Sequence, residues 1–202
     1  MGHLLMSKPI KQNSDNNNIF FDKNELKFCG KNVTIGKTVR IRNPSLVEIG
    51  DNVIIDDFTY ISGSVQIGDY SHVAPGVVLS ASSSNIRLKP FSGLAAGVKV
   101  YAGSSNYLDC GLDLPTIPKM HQYNVKLEEV EIGAFSLLGP GSIVLPGTTI
   151  PNGLSCLPNI TIREKLKLKE WYLLVNEDGK LLPRRNVNKL LKMVQNFYSL
   201  DL

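Results

Sequence analysis

The sequence predicts an all-β solenoid of short parallel strands wound as a triangular prism, and three observations carry that prediction. First, an aliphatic residue returns every six positions through "VEIGDNVIIDDFTYISGSVQIGDYSHVAPGVVLS", at Ile49, Ile55, Ile61, Ile67, Val73 and Leu79. Helices repeat at three and four and half-buried strands at two, so neither sustains a beat of six. Second, small or acidic residues follow the apolar ones, as in "IGDN", "IDDF", "VAPG" and "LGPG". They suit flat sides joined by tight corners. Third, every break in the beat falls at the same phase, as it must if insertions project from one edge of a solenoid.

The elements follow in order. Cys29, Ile35 and Ile41 keep the spacing, and two extra residues precede Ile49. Three extra residues follow Leu79 before Leu88, Leu94 and Val100 resume the beat. A long interruption leads to Ile132, Leu138, Val144, Ile150, Cys156 and Ile162. Three sixes make one coil. Side A then starts at Cys29, Ile49, Ile67, Leu88, Ile132 and Ile150, and side B at Ile35, Ile55, Val73, Leu94, Leu138 and Cys156. Side C starts at Ile41, Ile61, Leu79, Val100, Val144 and Ile162, which makes about six coils with all three breaks between side C and the next side A.

This register divides the chain into a polar lead-in over 1–24, expected to be partly mobile, a solenoid over 25–165 and an extension over 166–202. The insertion at 103–128 is too long for a mere connection, and Pro115 and Pro118 stiffen it. In the extension, Leu190, Leu191, Val194 and Phe197 form the apolar face of a short helical cap, expected on the open end of the prism.

Composition agrees with a single domain of 202 residues, 43% of them apolar. No apolar run approaches the roughly 20 residues of a membrane span. The N-terminal stretch lacks the apolar centre of a secretory signal, so a cytoplasmic protein is expected. Of three cysteines, two lie on the inward beat and read as buried thiols, not a disulfide set. Cysteine and histidine show no metal-ligand spacing, and no metal is expected. The net charge of +4 gathers in the tail from Arg163 to Met193. That cluster reads either as a solvated cap or as a contact for an anionic ligand such as a nucleotide phosphate. Nucleic acid is not expected, because no basic stripe carries interleaved aromatics.

The six-residue beat, clearest in "IGAFSLLGPGSIVLPGTTIPNG", resembles the bacterial hexapeptide-repeat acyltransferases. The passages "IGDYSHVAPG", "FSGLAAGVKVYAGSSNYLDCGLDLPTIPK" and "EEVEIG" look like the galactoside-acetyltransferase-like O-acetyltransferases of capsule and lipopolysaccharide synthesis. The resemblance runs from about Glu25 to Arg185. It implies a left-handed parallel β-helix acting as a homotrimer, with acetyl-CoA as donor between neighbouring prisms and a sugar or glycan hydroxyl as acceptor. Two alternatives stay open: N-acetylation of a nucleotide-linked amino sugar, and a non-catalytic trimeric scaffold.

His72 in "IGDYSH" is a surface histidine on one reading and, as the resemblance implies, the general base on the other. A sugar hydroxyl attacks a thioester slowly unless its proton is removed as the bond forms, and imidazole is suited to that near neutral pH. Coil arithmetic puts Gly93 over His72, leaving room for the thioester and exposing backbone N–H groups to the oxyanion; the plainer reading is a tight corner. In the insertion, Ser105, Asn106, Tyr107 and Asp109 are candidate acceptor contacts or turn caps, and relatives commonly carry acidic residues at Ser105 and Asn106. By motif match, the donor contacts are Gly139, Gly141 and Ser142, with Arg163 at the phosphates. Leu157 and Pro158 in the last coil stand where slimmer residues are expected. His3 in the N-terminal tail and His121 in the insertion compete poorly with His72.

Overall fold

A computed structural model describes residues 18–105, 107, 114, 116–121, 125–183, 187–195 and 198. Its strands stack in parallel as a left-handed β-helix. On side A, Cys29 lies beside Ile49, followed by Ile67, Leu88, Ile132 and Ile150. Side B runs Ile35, Ile55, Val73, Leu94, Leu138, Cys156. Side C runs Ile41, Ile61, Leu79, Val100, Val144, Ile162. Apart from Cys29, every one of these side chains is buried. Each such burial contributes about 1.5–3 kcal/mol, which is why the beat of six holds the register.

Two residues before each inward aliphatic the chain places a second interior side chain. Several coils use valine there, such as Val39, Val53, Val77 and Val98; others use Thr59, Ser71, Ser92, Ser136 and Ser142, all buried. The hydroxyls of Thr59, Ser136 and Ser142 donate to the carbonyls of Ala74, Pro151 and Leu157 at 3.3, 3.0 and 3.2 Å. A buried corner carbonyl without a partner would be costly, and these short side chains supply one.

The prism continues past the sixth coil. Leu174 stacks on Cys156, and the Leu157 N–H donates to the Leu174 carbonyl at 3.0 Å. Leu168 and Leu174 in fact keep the beat of six beyond Ile162, where the charges of "REKLKLKEW" mask it. Leu181–Pro183 then pairs antiparallel with Tyr172–Leu174 and ends the side B sheet. Leu166, Leu168, Tyr172 and Leu181 pack against the core at this end. At the other end Phe21 and Leu26 are buried against the core, and the Asn18 side-chain amide donates to the Gly36 and Val39 carbonyls. Residues 18–24 of the lead-in therefore cap the first coil.

The helix Val187–Gln195 does not cap the end as expected. Its Leu190, Leu191 and Val194 pack with Phe91, Ala134, Phe135, Trp171 and Tyr198, along the edge between sides A and B. The reason lies in that edge. Asn32, Asn52, Tyr70, Phe91, Phe135, Gly153 and Trp171 occupy one corner position on successive coils, all with φ between 55° and 68°. Asparagine and glycine accept this left-handed conformation cheaply, and aromatic residues do not. Here the rings stack, Tyr70 on Phe91 at 5.0 Å and Phe91 on Phe135 at 4.8 Å, with Phe135 and Trp171 5.7 Å apart across Gly153. Stacked pairs return about 0.5–1.5 kcal/mol each and create an apolar stripe wide enough for the helix. Phe197 lies outside the described residues.

All three breaks in the beat fall at the C–A corner. The longest starts and ends in a two-stranded antiparallel neck, Gly103–Ser104 against Lys126–Leu127. In a triangle that corner stands opposite side B.

Candidate functional site on side B

The outward positions of side B form a vertical series: Thr34, Ile54, His72, Gly93, Leu137, Ser155 and Leu173. His72 alternates with the buried Val73, so the inward valine fixes the imidazole outward, where its side chain is 55% exposed. Ile54 lies one coil below it and Gly93 one coil above, as coil arithmetic requires. Its Nε2 lies 2.7 Å from Asp56 Oδ2. An ionised carboxylate only accepts, so Nε2 carries the hydrogen and Nδ1 keeps a lone pair in the neutral ring.

Asp56 was not singled out from the sequence, yet the signal was present. Ile55 lies directly below Val73, Asp56 follows the first and His72 precedes the second, so the two side chains are diagonal neighbours across adjacent coils.

Gly93 departs from expectation in two ways. Its N–H donates to the Ser136 carbonyl at 2.8 Å, so the coil stack consumes it and it is not free for an oxyanion. The space beside its Cα is also partly taken: a Cβ built there would meet Leu137 Cδ2 at 2.8 Å. Leu137, 47% exposed, thus leans down over the glycine toward the His72 coil. One coil higher, Ser155 is buried with its hydroxyl unpartnered.

Gly139 and Gly141 lie where side B turns into side C, one and three residues past the side B leucine Leu138. Gly139 is pressed against the Leu157–Pro158 backbone, with 2.6 Å to either side of that peptide from a built Cβ. Gly141 adopts φ 70°, and a side chain there would press on the Asn159 amide. Ser142 requires correction: it is fully buried, its hydroxyl shared among the Leu157 carbonyl, the Ile160 N–H and the Cys156 sulfur, so it presents no surface to a donor. Burial pushes the Cys156 thiol up, partly offset by its hydrogen bond to the Ser142 hydroxyl and the one it accepts from the Gly139 N–H. Its role is in the core. Arg163 is exposed at the far end of side C of the sixth coil, away from the glycines.

The neck of the insertion stands at the corner opposite His72. Ser105 follows the neck at the opposite corner, and Tyr107 is 88% exposed. Asn106 and Asp109 lie outside the described residues. His121 ends a short 3-10 turn and is exposed, and His3 lies outside the described residues. No three His, Cys, Asp or Glu side chains converge among the described residues.

Residues 46–81 match the model of the bacterial transferase hexapeptide (six repeats). The dTDP-4-amino-4,6-dideoxy-D-glucose acyltransferase of Escherichia coli is 30% identical over 132 residues, covering 63% of this chain and 67% of that protein. The chain belongs to the hexapeptide-repeat acyltransferases. AntD, an N-acyltransferase from Bacillus cereus solved with dTDP and 3-hydroxybutyryl-CoA, superposes with a TM-score of 0.79. It is 31% identical, over 90% of this chain and 97% of AntD. A variant of AntD was solved with dTDP-4-amino-4,6-dideoxyglucose and coenzyme A. A maltose O-acetyltransferase from Clostridium difficile 630 shares the fold at 13% identity and TM-score 0.52, over 81% of this chain and 72% of that one. The stronger likeness is thus to an acyltransferase of a dTDP-linked amino sugar and to an N-acyltransferase, which the amino-sugar alternative fits better than the sugar hydroxyl. No helix among the described residues is long and apolar enough to cross a membrane.

Proposed function

We propose that this acyltransferase moves a short acyl group, with acetyl-CoA as donor, onto the amino group of a dTDP-linked 4-amino-4,6-dideoxy sugar, a building block for a bacterial surface glycan. The observation that carries the reading is the likeness to an acyltransferase of a dTDP-linked amino sugar and, over nearly the whole chain, to an N-acyltransferase solved with dTDP. The His72–Asp56 pair supports it from the chain itself.

In this reading the free amine attacks the thioester carbonyl carbon, a C–N bond forms, and the excess proton on nitrogen passes to His72 Nδ1. Collapse of the adduct breaks the C–S bond, and the leaving sulfur takes a proton from the imidazolium. Asp56 holds the ring in the tautomer that accepts at Nδ1 and stabilises the charged ring between the two transfers. Proton removal matters because nitrogen would otherwise leave as readily as sulfur.

The enzyme acts as a homotrimer in this proposal. The insertion stands at the corner opposite side B, so the insertion of one chain would wall side B of its neighbour, with Ser105, Asn106, Tyr107 and Asp109 toward the sugar. The pantetheine arm would run past Gly139 and Gly141, and Arg163 would meet a phosphate. Both substrates are cytoplasmic metabolites, which supports a cytoplasmic site of action.

The test is thiol release from acetyl-CoA by the purified protein with dTDP-4-amino-4,6-dideoxyglucose, compared with maltose. Release with the amino sugar alone, and an acylated product by mass, is the expected result. Release only with the hydroxyl acceptor would overturn the amine reading.

A further inference from the structure

We infer that Leu137 sets which acyl group the enzyme accepts, and that it restricts the donor to acetyl-sized groups. The inference rests on the reading above, in which His72 takes the proton of the acceptor.

The geometry is a stack of three outward positions on adjacent coils, His72, Gly93 and Leu137. Adjacent strands lie roughly 4.8 Å apart, so Leu137 starts about two strand spacings above the imidazole. Gly93 contributes no side chain, and the Leu137 tip descends into the space a Cβ would need, at 2.8 Å from it. The reacting nitrogen must lie within about 3 Å of His72, and the thioester carbon within about 3.5 Å of that nitrogen. Those limits keep the carbonyl carbon within about 6.5 Å of the imidazole, and on the upper side, where Gly93 leaves the way open, that reach ends against the Leu137 methyl groups. Whatever is attached to that carbon next meets them.

A methyl group is accommodated against the side chain. A chain of four carbons requires it to move. AntD, with the same fold, was solved with 3-hydroxybutyryl-CoA, so the fold itself does not exclude longer groups, and a side chain at this level must decide. The energetics suit the role, since a few methylenes accepted or refused by an apolar wall change selectivity about 10–200-fold. Leu137 is half exposed and contributes little to the interior, where Leu138 fills side B instead.

The test is the ratio of kcat/KM for butyryl-CoA to that for acetyl-CoA, with the amino sugar as acceptor, in the native protein, Leu137→Ala and Gly93→Ala. The native protein should prefer acetyl-CoA. Leu137→Ala should raise the ratio at least about 10-fold through a faster butyryl rate. Gly93→Ala presses on the flexible tip of Leu137, not on backbone, so it should fold and shift the ratio the other way. An unchanged ratio in an active Leu137→Ala protein overturns the inference, as does a shift due only to loss of acetyl transfer, or an equal loss with both donors on dissociation of the oligomer. No transfer by the native protein from either donor would instead overturn the proposed function, and this inference with it.

Discussion

Sides A and B share one backbone plan, yet their outer faces are built for different surroundings. Side A presents Glu48, Gln66, Arg87 and Glu131 in one vertical series, tied into a ladder: Gln66 donates to Glu48 at 3.3 Å, Arg87 donates to Gln66 at 3.0 Å, and Lys89 pairs with Glu131 at 2.8 Å. Lys27 holds the Glu48 carboxyl below its usual range, with Gln66 adding to the effect. Side B presents Ile54, His72, Gly93 and Leu137, two exposed aliphatics around one ionisable pair. A ladder of charges is a face finished for water, whereas exposed aliphatics around an imidazole suit a face that receives a ligand or a neighbour. The interior beat is equally strict on both sides. Function is therefore written only in the residues between the beats.

The largest way to break the comparison is to ignore it. Val73→Asp changes an inward position next to His72 and should unfold the prism, since an unpaired buried charge costs several kcal/mol. Loss of the cooperative thermal transition would show this, and a folded Val73→Asp protein would refute the register. Next, His72→Ala should lower turnover at least about 100-fold while Tm stays near native, and thiol-release kinetics beside a melting curve separate the two effects. On side A, Arg87→Ala should leave turnover close to native and cost no more than about 1 kcal/mol, because Arg87 and its nearest partner Glu129 are both solvent-exposed. Equal losses from His72→Ala and Arg87→Ala would erase the distinction between the faces.

The smallest effect belongs to the edge between the two sides. The Tyr198 hydroxyl donates to Asp69 at 2.6 Å, and burial, then Asp69, pushes its pKa up to about 12. A group raised in the folded state stabilises it fully below its unfolded value of about 10, and that contribution is lost as pH rises toward 12. Docking of the helix should therefore weaken between pH 10 and about 12, read by the fluorescence of Trp171, the single tryptophan, in the same aromatic cluster. Tyr198→Phe should abolish most of this dependence, and an undiminished transition would assign it to another group.

The sequence by itself determined the coil, its register and the corner that takes insertions, because an inward aliphatic at every sixth residue is a local requirement repeated on each side. It also determined that His72 lies under Gly93, which needs only addition along one column. The continuation through Leu168 and Leu174 was equally periodic but hidden among lysines. What only the tertiary structure decided were the contacts between columns. Spacing makes Asp56 and His72 diagonal neighbours, but it does not reveal that the carboxylate meets the ring, that the Gly93 N–H is consumed by Ser136, or that Leu137 bends into the glycine gap. Nor does it reveal that a helix prefers an aromatic edge to an open end. Periodicity fixes where a Cα stands, but where its side chain turns depends on the free volume and unmet hydrogen bonds left by neighbours far away in the chain.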